Sequence, residues 1–113
     1  MHELSLTRSL VELVQREEKA RGFSRVLEIR MKLGNYSGVV PAYILDLFPQ
    51  VAAGTCAEGA ALTFETVPAR FRCRSCGVEG PPDRKRACCP VCGSTDLQMT
   101  AGREFFVDSL KVE

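Results

Sequence analysis

The chain has 113 residues, 45% of them hydrophobic and 26% charged, with a formal net charge of +1. That balance fits one folded domain, or one domain with a small module, and excludes a disordered chain. It also leaves no global field to draw the protein to nucleic acid or to a membrane. The start, MHELSLTRSL, lacks a basic and then apolar leader, and no apolar run nears the ~20 residues of a bilayer span, so the expected compartment is the cytoplasm.

Leu6, Leu10, Leu13 and Val14 recur at helical period within residues 4–20, and Gly22 stands where a left-handed cap would end that helix. RVLEIRMKLG then alternates, with Leu27, Ile29, Met31 and Leu33 against Glu28, Arg30 and Lys32, as in a half-buried strand. NYSG makes a turn, and Pro41 suits the first turn of a second helix whose apolar side holds Tyr43, Ile44, Leu47, Phe48 and Val51. Pro49 should kink or shorten that helix, because it removes a donor and crowds the preceding turn; Gly54 can close it. ALTFETV reads as a second strand with Leu62 and Phe64 inward, and REFFVDSLKVE as a third with Phe106, Leu110 and Val112 on one face. The expected fold class is α+β. Residues 1–69 and 101–113 form a small mixed three-stranded sheet with two helices, and a zinc-ribbon-like module is inserted at 70–100.

Six cysteines without an export signal point to metal or redox chemistry rather than to disulfides. CRSCG and CPVCG place Cys73, Cys76, Cys89 and Cys92 at C-x2-C-x12-C-x2-C. Two residues between thiolates let one turn present both sulfurs to one ion, and four thiolates in a tetrahedron suit structural Zn(II). The intervening VEGPPDRKRAC has too few apolar residues for a core, so metal supplies much of its folding energy. The same four ligands also suit a single iron, and CCPVC offers Cys88 as an alternative to Cys89. Cys56 reads as a small packed residue. Residues 70–92 carry Arg70, Arg72, Arg74, Arg84, Lys85 and Arg86 against Glu79 and Asp83, a net of +4. A solvated face, an acidic protein partner and nucleic-acid phosphates all fit that patch, and the alternative function is a zinc-ribbon nucleic-acid-binding module built on it.

His2 is the only histidine. The Met1 amine, the His2 amide and the His2 imidazole can close two chelate rings around a square-planar ion such as Ni(II) or Cu(II), with Glu3 available through its amide or carboxylate. Glu3 also suits the first turn of a helix as an acid facing the dipole.

The MHE-L start, LG at 33–34, GT at 54–55, EGA at 58–60, the C-x2-C…CP-x-CGS module at 73–94 and the closing strand together resemble the HypA/HybF family of hydrogenase nickel-incorporation proteins. The resemblance implies a nickel metallochaperone for NiFe hydrogenase maturation, not an enzyme, working with a HypB-type GTPase and the hydrogenase large subunit, without membrane or nucleic acid. Carried over by position, transient Ni(II) falls on His2 with Met1 and Glu3 assisting, and structural Zn(II) on Cys73, Cys76, Cys89 and Cys92. The chain departs from the family pattern at Ala42, where an acid often follows the helix-opening proline, and at Lys111 in the closing segment. Its cysteine module also carries no histidine.

Overall fold

The computed structural model describes residues 2–82 and 87–113. Its elements are α1 (Glu3–Arg21), β1 (Val26–Gly34), α2 (Pro41–Ala52), β2 (Ala61–Val67), β3 (Arg70–Cys73), β4 (Glu79–Gly80), β5 (Leu97–Ala101) and β6 (Phe105–Val112). They form two three-stranded sheets, in the orders β2-β1-β6 and β4-β3-β5. Two compact units result. The first takes Met1–Lys32, Val39–Glu65 and Phe106–Glu113, the second Leu33–Gly38 and Thr66–Phe105. The expected insertion at 70–100 lies wholly inside the second.

In the first unit, α1 buries Glu3, Thr7, Leu10, Val11 and Val14, a stripe at helical spacing. Leu10 and Val14 are as the periodicity predicts. Leu6 and Leu13 are only half-buried, because the buried stripe is turned by one position and takes Thr7 and Val11 instead. Gly22 ends the helix at φ 75°, its N–H donating to the Glu18 carbonyl at 2.8 Å. On β1, Ile29 and Met31 are buried and Arg30 is exposed, the alternation read from the sequence. Ile44, Phe48 and Ala52 of α2 complete this core.

Pro49 does not end α2, which continues through it to Ala52. The bond it forfeits is to the carbonyl of Leu45, on the exposed side of the helix where water can serve instead. The burial phase also corrects Tyr43, which is 54% exposed; Leu47 and Val51 are half-buried.

β1 and β2, joined through α2, run parallel, while β6 is antiparallel to β1, so the sheet is mixed as expected. Leu62 and Phe64 are half-buried. Along β6 the burial alternation slips by one residue at Asp108–Ser109, both exposed, in the manner of a bulge. Phe105, Val107 and Leu110 are therefore half-buried and Phe106 is exposed, so Phe106 does not share a face with Leu110 as strict alternation predicts.

The second unit contains a sheet that the periodicity did not predict, since its strands span only two to five residues. β3 lies between β4 and β5 and pairs antiparallel with both, Arg72 opposite Glu79 on one side and Gln98 on the other. Here Gly34 and Gly102 approach at backbone distance. A Cβ on Gly34 would stand 2.1 Å from the Gly102 carbonyl oxygen. The approach is fastened by Gly34 N–H donating to the Glu104 carbonyl and Tyr36 N–H to the Gly102 carbonyl, each at 2.7 Å.

Candidate metal centres

Two knuckles of the same construction carry the cysteines. In the first, Gly77 N–H donates to the Cys73 carbonyl at 2.8 Å; in the second, Gly93 N–H donates to the Cys89 carbonyl at 2.9 Å. Both glycines sit at positive φ, 79° and 76°, which lets the backbone fold beneath the sulfurs. Ser75 Oγ and Ser94 Oγ, one from each knuckle, share a hydrogen bond of 2.8 Å. The two turns thereby face each other, and the sulfurs of Cys73, Cys76, Cys89 and Cys92 all lie within 4.8 Å of one another. Cys73–Cys92 and Cys76–Cys89 are each 3.6 Å apart. A tetrahedral ion with metal–sulfur bonds of about 2.3 Å sets its sulfurs about 3.8 Å apart, so this donor set fits zinc with little movement.

The four thiols are not equivalent. At Cys73, hydrogen bonds from the Cys76 and Ser75 N–H groups favour the thiolate over the opposing effect of desolvation, and the thiol is pulled well below its ordinary value. Cys89 is lowered in the same way, by the N–H groups of Cys92 and Val91. At Cys92 the Ser94 N–H acts downwards, but the proton shared with Cys73 and desolvation prevail and push the thiol up. Cys76, despite the Val78 N–H, is likewise raised by desolvation and by its contact with Cys89. Each knuckle thus pairs one thiol that is easier to ionise with one that is harder, and a dication bound by all four displaces whatever protons remain.

The cluster takes Cys89 and not Cys88, which is half-buried beside it and lines a small apolar cavity with Phe71, Val78 and Leu97. Cys56 is half-buried, and burial, followed by the charge of and a hydrogen bond with Glu18, raises its thiol. Of the basic patch, Arg70, Arg72 and Arg74 are exposed, and Arg74 pairs with Asp96 at 3.7 Å. Asp83, Arg84, Lys85 and Arg86 lie outside the described residues.

In the other unit, His2 is exposed and occupies the N-cap of α1 without a side-chain cap bond. Its carbonyl accepts from Leu6 N–H at 2.9 Å and from Ser5 Oγ at 3.0 Å. Its imidazole is therefore presented to solvent from a bonded first turn. The N–H groups here belong to the set that an α-helix leaves without intrahelical partners. Glu3 differs from the free ligand that its position in MHE suggests. It is 8% exposed, and its Oε2 accepts from the Val40 N–H at 3.5 Å. Its own N–H, followed by that of Val40, holds the carboxyl below its ordinary value against the effect of burial. Thr7 Oγ1 donates to the Glu3 carbonyl at 2.7 Å. Thr7 and Val40 were not singled out from sequence; the only signal was Thr7 lying four residues after Glu3. Met1 lies outside the described residues.

A family model described as "Hydrogenase/urease nickel incorporation, metallochaperone, hypA" matches residues 1–112. The hydrogenase maturation factor HypA of Methylocella silvestris is 42% identical over 113 residues, covering 100% of both chains. That of Geobacter metallireducens matches to the same extent, at 42% over 113 residues and 100% of both. Its counterpart from Dehalococcoides mccartyi strain CBDB1 is 39% identical over 116 residues, covering 100% of this chain and 95% of the relative. Among solved structures, the solution structure of HypA protein superposes with a TM-score of 0.81 at 21% identity, over 100% of this chain and 97% of that one. The solution structure of the Ni metallochaperone HypA from Helicobacter pylori gives 0.76 at 21% identity, over 99% and 97%. At that identity the likeness shows the fold.

Proposed function

The chain belongs to the HypA family of hydrogenase and urease nickel-incorporation metallochaperones, and from that premise we propose that it carries Ni(II) on its N-terminus for NiFe hydrogenase maturation. The carrying observation is the family match from residue 1 to residue 112. The ligands are the His2 imidazole and amide with the Met1 amine, and Glu3 assists. The exposed imidazole at the start of α1 supports this reading, as do N–H groups that can lose a proton without breaking an intrahelical bond. A helix N-terminus is the positive end of the dipole and repels a dication. Loss of amide protons on binding removes that repulsion, and their return on release restores it. Such a site gives up its cargo readily, as a carrier must.

Cys73, Cys76, Cys89 and Cys92 hold one Zn(II), which folds the second unit and takes no part in a reaction. The protein is a carrier rather than an enzyme, acts in the cytoplasm, and passes nickel on with a HypB-type GTPase to the hydrogenase large subunit.

The test is a nickel titration of untagged, zinc-loaded protein beside His2→Ala and a variant extended ahead of Met1. One nickel site lost in both variants, with zinc at one per chain throughout, is the expected result. Nickel binding indifferent to both changes would remove the N-terminus from the function.

A further inference from the structure

Glu3 and Thr7 are the buried polar side chains of the described chain, at 8% and 0% exposure. A buried carboxylate needs partners, and no cation supplies one among the described residues. Its partners are two backbone N–H groups, its own and that of Val40, 37 residues away in sequence. Val40 is the residue from which α2 starts. The Glu3 carbonyl is held in turn by the Thr7 hydroxyl. Ahead of it, the His2 side chain gives α1 no cap, and only the His2 carbonyl is held, by Leu6 N–H and Ser5 Oγ. Glu3 is thus held at both its side chain and its carbonyl. Moving its carboxylate to a metal would break both of its hydrogen bonds and pull a core residue outwards.

We propose that Glu3 is a positioning residue of the nickel site: its carboxylate anchors the first turn of α1 to the backbone ahead of α2 and stays off the metal. Nickel then meets a first turn in which the residue after His2 is already fixed, which lowers the entropy lost on binding. The proposal rests on the N-terminal nickel reading and deepens it.

Glutamine keeps the reach and the acceptor oxygen of Glu3 but loses the charge; aspartate keeps the charge but falls one methylene short of Val40. The experiment uses untagged, zinc-loaded wild type, Glu3→Gln, Glu3→Asp and His2→Ala. It measures nickel affinity against a competing chelator, the visible spectrum of the nickel form, and hydrogen exchange at the Val40 amide. Expected for Glu3→Gln is an unshifted nickel spectrum, because the carboxylate it loses is not a ligand. Glu3→Asp should bind about tenfold more weakly, the loss from ordering one more residue, with an unchanged spectrum and a faster-exchanging Val40 amide. A shifted spectrum in Glu3→Gln with affinity retained in Glu3→Asp would make the carboxylate a ligand and overturn the proposal. Two variants indistinguishable from wild type would overturn it as well. Full nickel binding by His2→Ala would instead bring down the site reading beneath it.

Discussion

Gly34→Ala tests the packing of the second unit at its tightest point. The added Cβ would lie 2.1 Å from the Gly102 oxygen, 2.2 Å from its carbonyl carbon and 2.6 Å from the Arg103 nitrogen, all backbone atoms that no rotamer change can move aside. Reaching a tolerable contact near 3.0 Å means shifting one backbone by roughly 1 Å. Such overpacking costs about 1–3 kcal/mol. The shift also breaks the bonds from Gly34 N–H to Glu104 and from Tyr36 N–H to Gly102, worth about 1 kcal/mol each. The expected loss is about 3–5 kcal/mol, a large share of what a domain of this size has. Urea unfolding of the zinc-loaded protein, followed by circular dichroism, measures it. Gly22→Ala is the control, because its Cβ meets nothing within 4 Å and only φ +75° opposes it; about 1 kcal/mol is expected there. A Gly34→Ala protein no less stable than Gly22→Ala would refute the close approach.

Zinc loading near neutral pH should release at least about two protons per ion, those of the raised thiols Cys76 and Cys92 among them, measured with a pH indicator in weak buffer; release of none would contradict the raised thiols. Cys88→Ser should retain one zinc per chain by metal analysis, whereas Cys89→Ser should not. The Glu3 carboxyl has its value lowered on folding, so its hydrogen bond to Val40 is fully present above 4.5 and is lost as pH falls below that. Exchange at the Val40 amide, relative to its neighbours, should speed up only in that acid range. Pro49→Ala should stabilise the protein by about 1–3 kcal/mol, since α2 passes through this position and regains a hydrogen bond; thermal unfolding decides.

Sequence spacing carried the metal module well, because a C-x2-C turn is a local object whose geometry follows from two residues and a glycine. It also resolved the choice between Cys88 and Cys89 only as far as the Cys-Pro-x-Cys-Gly form goes; the sulfur cluster supplies the rest. The helices and β1 were legible through long periodic stretches. What escaped was set by non-local contacts. The one-position turn of the α1 stripe depends on Thr7 and Glu3 being wanted in the core, and hydropathy has no reason to place them there. The slip in β6 at Asp108–Ser109 depends on pairing rather than composition. Gly34 was visible as part of a family pattern, but its physical reason, the carbonyl of Gly102, is far along the chain.

The chain passes between its two units four times, after Lys32, Gly38, Glu65 and Phe105. Neither unit can therefore be released by a single cut, and β6 must return to β1 across the whole cysteine segment. Closing a slack loop is slow and grows slower with length. The contact of Cys73 with Cys92 spans 19 residues of that loop, so an ion gripping both sulfurs shortens the search that β6 must make. The pairing of β6 with β1 is thereby tied to metal supply at the cysteines, although none of those cysteines lies on either strand.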